Sequence, residues 1–148
     1  MTGGSVLSIR TYREQDLAAV EAIWTVLFPA TAPYHAPLWS IRSMVAHAPD
    51  LFFVAEIEGE VVGTVLAGWD GHRGWIYSLG VRPDLQRGGI GSALLAHAVE
   101  ALRARGCPKV NLQIRGDNRD VVGFYERLGW RVEDRVSMGL PSPSPLDP

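Results

Sequence analysis

The sequence predicts an α/β fold, a mixed central sheet flanked by helices. Three features lead there. Apolar residues recur at helical spacing near both ends of the chain and after residue 90. The middle alternates apolar strands with tight turns. A glycine-rich loop, LQRGGIGSALL at residues 85–95, joins a strand directly to a long helix.

Taken in order, Leu17, Val20, Ile23, Trp24 and Leu27 share one stripe of a helix over residues 12–27, with Thr11 and Glu14 spaced as a capping box. The segment PATAPYHAP carries three prolines and excludes regular structure, and residues 38–47 allow a short second helix. LFFVAEI and VVGTVLAGW read as strands joined by a hairpin turn at Glu58 and Gly59. DGHRG, residues 70–74, turns the chain into the strand WIYSLGV. Ile90, Leu94, Leu95, Ala98 and Leu102 mark the long helix, stopped by Gly106 and Pro108. KVNLQI alternates as a further strand. Asp117 or Asn118 caps a last helix that runs to about Leu128 and ends at Gly129, after which WRVEDRVSM is expected to return as a strand. Two helices, a meander, and then alternating helices and strands require a mixed sheet. The 148 residues fit one domain, residues 1–140, followed by a Pro/Ser tail at 141–148 expected to be disordered.

Composition narrows the function. A hydrophobic fraction of 47% and a charged fraction of 20% are those of a globular protein. A net charge of −2 and the lack of a basic block argue against nucleic acid as a partner. The first ten residues do not read as a secretory signal, and no apolar run approaches the roughly 18 residues of a membrane span. A cytoplasmic protein without a membrane partner is expected. Cys107, the single cysteine, precedes Pro108 in a turn and reads as structural. His35, His47 and His97 lack the spacing of a metal site, and His97 is expected on the solvated face of the long helix.

The glycine loop carries the functional signal. At a helix start several N–H groups lack partners, beside a dipole equivalent to about half a positive charge. Each bond to a charged group contributes roughly 1.5–3 kcal/mol, so three or four amides can hold a pyrophosphate without a metal. The P-loop motif fails, because Gly91 is followed by Ser92 and Ala93 rather than Lys. The dinucleotide fingerprint fails at Leu94, where it needs a small residue, and its strand does not follow a meander. What fits is Gln or Arg, two residues, Gly, one residue, Gly or Ala, met by Gln86, Gly89 and Gly91.

With this loop, LGVRPDLQRGGIG, and with DNRDVVGFYERLGW downstream, the chain resembles the GNAT family of acetyl-CoA-dependent N-acetyltransferases. DGHRGWIYSLGV and ARGCPK are similar to a small bacterial branch of it. The resemblance implies that the strand ending in LGV splays from its neighbour and pairs with the pantetheine arm of acetyl-CoA through the main chain of Leu79 and Val81. Gly80 would be the bulge residue that opens the gap. Gln86, Arg87, Gly88, Gly89, Ile90, Gly91 and Ser92 would hold the pyrophosphate, Asn118 would contact the cofactor arm, and Gly123 would leave room beside it.

Attack of an amine on a thioester needs a neutral amine, a donor for the oxyanion and an acid for the departing thiolate. The donor is expected to be a backbone N–H near Leu79 or Val81. Tyr125, with an ordinary phenol pKa of about 10, is the expected acid, and Phe124 beside it the packing member. Relatives often place a glutamate on the strand before LGV, where this chain has Trp75, Ile76, Tyr77 and Ser78. The base stays open among Glu56, Asp70, His72, Tyr77 and water, and Asp70 with His72 reads more simply as turn chemistry. Tyr34, His35 and Trp39, the hairpin tips and the final strand would wall the acceptor site, which a second copy in a homodimer could complete. The acceptor, and acetyl against a longer acyl donor, are left open. A CoA-binding sensor that lost catalysis is the alternative on the same fold; a nucleotide-binding domain would instead bind ATP or NAD.

Overall fold

The computed structural model describes residues 6–29 and 36–142, in two units divided after Asn111. In the first, Phe52–Ile57 and Glu60–Trp69 are β-branched and aromatic runs that form strands. Between them Glu58 and Gly59 both take left-handed backbone, φ 52° and 80°, as a two-residue hairpin demands. The sheet has five strands in sequence order: β1 (Leu7–Thr11), β2 (Phe52–Ile57), β3 (Glu60–Trp69), β4 (Gly74–Val81) and β5 (Val110–Asn111). The first four pair antiparallel and β5 joins β4 in parallel, so the sheet is mixed.

Three departures from the sequence reading concern strands, two of them in the first unit. The sequence reading did not include β1, because LSIRT is five residues with three polar ones and only Leu7 and Ile9 to carry an alternation. Its Arg10 is held by ion pairs, which lets a charged residue lie on a strand inside the fold. The strand expected over KVNLQI shortens to Val110–Asn111. The N-terminal helix also starts later: a 3-10 turn at Glu14–Asp16 precedes α1 (Leu17–Leu27). The Thr11 and Glu14 capping box does not form, since the carboxylate of Asp16 accepts the Arg13 N–H at 2.8 Å and closes that turn instead. The second helix, α2, spans Pro37–His47. Tyr34 and His35 lie outside the described residues.

α1 and α2 cover one face of the sheet. Val20, Ile23, Trp24 and Ile41 pack on Phe52, Val54, Val61 and Leu66, with Tyr12 stacked on Phe52 at 4.6 Å. α3 (Ile90–Ala104) covers the other face with Leu94, Leu95, Ala98 and Leu102, all buried. A Cβ on Gly63 of β3 would stand 3.0 Å from Leu94, so glycine lets helix and sheet close together there. His97 is exposed, as expected, yet its ring meets Phe53 edge-on at 4.6 Å. α3 ends in a Schellman motif: Cys107 N–H reaches Leu102 O and Gly106 N–H reaches Arg103 O, with Gly106 at φ 89°. Cys107 is buried and donates its thiol hydrogen to Lys109 O at 3.2 Å, a structural role. No helix among the described residues is long and apolar enough to cross a membrane.

The second unit contains α4 (Arg119–Arg127). It ends by the same device, Trp130 N–H to Tyr125 O and Gly129 N–H to Glu126 O, with Gly129 at φ 96°. The strand expected over WRVEDRVSM is not formed among the described residues. Its apolar positions bury nothing, Val132 being 75% and Val136 89% exposed, so pairing there would gain no hydrophobic burial.

Arg10 ties β1, the 3-10 turn and β2 together. Its guanidinium grips both oxygens of Asp16 at 2.8 Å and donates through Nε to Glu56 at 2.8 Å. Burial alone would raise the Asp16 carboxyl, but the bonds from the Arg10 guanidinium and the Arg13 amide outweigh it and hold the group below its ordinary range. Asp16→Asn is therefore expected to lower stability at pH 7 by about 2 kcal/mol, a fall in Tm of roughly 4–8 °C. Because the folded value is depressed, this stabilisation is complete above the unfolded value near pH 4 and drains away as pH falls below it. Thermal unfolding at pH 7 and pH 3 should show the gap between wild type and variant closing in acid; a gap that widens contradicts the assignment.

Candidate active site

β4 has two unequal neighbours. Against β5 it forms only the pairs Gly74 with Val110 and Trp75 with Asn111. Beyond Trp75 no parallel partner follows it among the described residues, and this is the edge of β4 on which the sequence reading placed a cleft. Against β3 the register slips: Leu66 faces Tyr77 and Thr64 faces Gly80, so Ser78 and Leu79 together oppose Val65. That is a bulge, two residues against one. The extra residue is Ser78, at φ 50°, a conformation that costs a non-glycine residue roughly 1–2 kcal/mol. Gly80 is therefore not the bulge residue. It is glycine because a Cβ there would stand 2.8 Å from Leu27 and 3.0 Å from Phe28, where the end of α1 crosses the strand.

The bulge is held from behind. The Trp24 indole N–H donates to Thr64 Oγ1 at 2.9 Å, and the Thr64 hydroxyl donates to the carbonyl of Ser78 at 2.9 Å. Trp24 is 3% and Thr64 0% exposed, so no water competes for these bonds. Further along, Arg82 N–H bonds Val62 O at 2.8 Å. Alternation along an antiparallel pair then turns the amide and carbonyl of Val81 away from β3. The carbonyl accepts from Gln86 Nε2 at 3.0 Å, so the Val81 N–H is what that position still offers.

The loop follows at once. After a 3-10 turn at Pro83–Leu85, Gln86 ties the chain back to β4, Arg87 takes φ 69° and Gly89 takes φ 89° as the N-cap of α3. Changes of backbone hand between successive residues aim neighbouring amides at one point, the geometry of an anion nest. The first bond that closes α3 is Ala93 N–H to Gly89 O. The amides of Gly88, Gly89, Ile90, Gly91 and Ser92 take no hydrogen bond among the described residues, and the N-cap side chain supplies none. Residues 86–89 are exposed, whereas the Ile90 side chain is buried and anchors the first turn.

Of the remaining candidates, Asn118 is the N-cap of α4 and makes no side-chain cap bond, which leaves its carboxamide unspent. Tyr125 is buried against Phe124 and Trp130, with ring centroids 5.1 and 5.7 Å away. The sequence reading had assigned packing to Phe124, yet Tyr125 is the more buried of the two. Burial pushes its phenol up to about 12. Gly123 has only the Arg127 side chain near its missing Cβ, at 3.5 Å. Among the base candidates, Glu56 is bound to Arg10. Asp70 accepts the N–H groups of His72 and Arg73 at 2.7 and 2.8 Å, the turn chemistry anticipated, and those bonds lower its carboxyl. His72 is exposed. Tyr77 is 48% exposed, with its phenol raised by burial and then by the charge of Asp70.

A depression of about 640 Å³ lies elsewhere in the first unit, between α1 and the β2–β3 turn, lined among others by Arg10, Glu56, Glu60, Val26 and Arg82. Its charges are spent on each other, Arg10 with Glu56 and Arg82 with Glu60, and it excludes the glycine loop.

Comparison with known proteins places this arrangement. The sequence matches the acetyltransferase (GNAT) family over residues 17–130. It is 43% identical over 133 residues to an acetyltransferase of Pectobacterium atrosepticum, covering 90% of this chain and 94% of that one. It is 44% identical over 130 residues to an acetyltransferase of Sodalis glossinidius, covering 88% and 91%. Among solved structures, the fold is similar to the aminoglycoside N-acetyltransferase AAC(6')-Iy in complex with CoA, with a TM-score of 0.78 at 18% identity and coverage of 95% and 98%. It is also similar to Ard1 from Thermoplasma volcanium, with a TM-score of 0.76 at 23% identity and coverage of 86% and 84%. Those two likenesses speak for the fold, and the sequence matches speak for descent. The family match over most of the chain and these relatives, with a nest of free amides at the head of α3, agree: the chain belongs to the acetyltransferase (GNAT) family, in a branch shared with bacterial relatives.

Proposed function

We propose that this acetyltransferase moves the acetyl group of acetyl-CoA to a primary amine by direct attack in a ternary complex. The observation that carries it is the row of amides from Gly88 to Ser92 without partners, beside a strand whose parallel ladder ends at Trp75. These residues suit the diphosphate, because exposed N–H groups at a helix start favour an anion. Arg87 adds charge from the same loop. The outward amide of Val81 suits a pantetheine arm, and Asn118 offers a free carboxamide to it. The single buried cysteine is in keeping with a reducing, cytoplasmic setting. An amine acceptor is in keeping with the N-acetyltransferase named among the solved structures.

In this proposal acetyl-CoA supplies an activated acyl thioester, and the chain supplies position and hydrogen bonds. Tyr125, with a phenol near 12, stays protonated throughout the neutral range. A thiol ordinarily ionises near 8.5, so complete proton transfer from this phenol is uphill; its part is a hydrogen bond to charge developing on sulfur. With Glu56 and Asp70 committed elsewhere, and the Tyr77 phenol raised and so already protonated near neutral pH, the proton of the amine leaves through water or to His72. The same lack of a free carboxylate favours a second reading, a sensor that binds acetyl-CoA without turnover. Heat on binding with no thiol release for any amine in a broad panel would select it.

Tyr125→Phe is expected to lower kcat about 10²-fold while acetyl-CoA binding survives. Because the folded phenol lies near 12, wild-type activity should show no loss attributable to this group below about pH 11. Turnover kinetics across pH check this, and unchanged turnover at every pH removes Tyr125 from the mechanism. Gly89→Ala meets nothing within 4 Å but forces alanine to φ 89°. The variant should fold and lose about tenfold or more in affinity for acetyl-CoA as the strain of roughly 1–2 kcal/mol turns the nest amides aside. Equal calorimetric affinities would contradict the nest.

A further inference from the structure

We propose that Thr64, oriented by Trp24, is a positioning residue that aims the Leu79 amide at the acyl carbonyl of the bound thioester; this rests on the proposed function above. The direction of each bond is forced. An indole nitrogen only donates, so Thr64 Oγ1 must accept from Trp24, and the hydroxyl hydrogen is left with one acceptor, the Ser78 carbonyl. The Ser78–Leu79 peptide is trans, so its N–H points opposite to its C=O. With the carbonyl drawn toward Thr64, the Leu79 N–H faces away from it.

β3 does not reclaim that amide. Arg82 bonds Val62, which makes Val62–Arg82 and Thr64–Gly80 the hydrogen-bonded pairs and leaves Val65 opposite Ser78 and Leu79 between ladder bonds. The amide therefore emerges on the side where β4 has no partner beyond Trp75. A left-handed Ser78 would relax to ordinary strand backbone if nothing held it, and the relaxed peptide would turn Leu79 elsewhere. Thr64 touches no reactant. It sets the direction of a donor that does, and Trp24 fixes the hydroxyl in the one rotamer that works. Leu79 rather than Val81 becomes the oxyanion donor, because it is the amide whose peptide is locked.

The test follows the Leu79 amide resonance in leucine-labelled full-length protein titrated with acetyl-CoA, together with binding heat and turnover on an amine the wild type acetylates. Wild type and Thr64→Ser should both shift the Leu79 resonance. Thr64→Val should lose that shift and about 10²-fold in kcat, with affinity for acetyl-CoA within about threefold, and Thr64→Ser should stay within about threefold of wild type throughout. If Thr64→Val does not fold, Trp24→Phe carries the test, with a displaced Leu79 resonance and a fall in kcat expected. A Leu79 resonance and kcat unaltered by Thr64→Val or Trp24→Phe overturn the proposal, as does a Thr64→Ser as impaired as Thr64→Val. No binding heat in the wild type overturns instead the function on which it rests.

Discussion

β4 is required to do two incompatible things, to stay hydrogen-bonded to β3 along its length and to leave its other side open beyond its second residue. The two-for-one bulge reconciles them. It keeps the register on either side, Leu66 with Tyr77 and Thr64 with Gly80, while turning the intervening backbone out of the ladder. That solution is strained at Ser78 and needs an interior hydrogen bond to persist, which the Trp24–Thr64 pair supplies. The end of α1 then has to pass over β4 at close range, and Gly80 is the residue that lets it. Strand register and helix approach thus hang on one short stretch, residues 77–81.

The chain treats polar groups in two opposite ways, and the contrast separates structure from function. In the interior Trp24 is spent on Thr64, Thr64 on Ser78, Arg10 on Asp16 and Glu56, and the Cys107 thiol on Lys109, while the Tyr12 hydroxyl is left without a partner. Helix C-termini are closed by Schellman motifs at Gly106 and Gly129. At the head of α3 the same chemistry is withheld, and a row of amides is left to the solvent without a capping side chain. α1, α2 and α4 also start without a capping side-chain bond, so the head of α3 is set apart by the left-handed backbone of Arg87 and Gly89, which suits an anion.

What could be read from the letters follows from how local each cause is. Turns are local, so Glu58–Gly59, DGHRG, Gly106 and Gly129 were legible, as were the long α3 and the loop that starts it. The fold class followed from that order of elements. β1 was not legible, since its Arg10 looks like a surface residue until Asp16 and Glu56 are seen around it. The strand expected over WRVEDRVSM failed for the opposite reason: alternation was present, but Val132 and Val136 have nothing to pack on. Gly80 drew attention for the right strand and the wrong cause, because a bulge residue with φ 50° turned out to be a serine and the close approach of α1 is a tertiary fact. Thr64 carried no signal at all in VVGTVLAGW; only its partners 40 and 14 residues away reveal it.

The central claim is that the free amides at the head of α3 exist to hold the diphosphate of coenzyme A. A crystal structure of the full chain with CoA tests it most directly. Diphosphate oxygens within hydrogen-bonding distance of the main-chain nitrogens between Gly88 and Ser92 are the predicted result. CoA bound with its diphosphate elsewhere, for instance against Arg10 and Arg82 in the depression beside α1, and those amides still unpartnered, would contradict it.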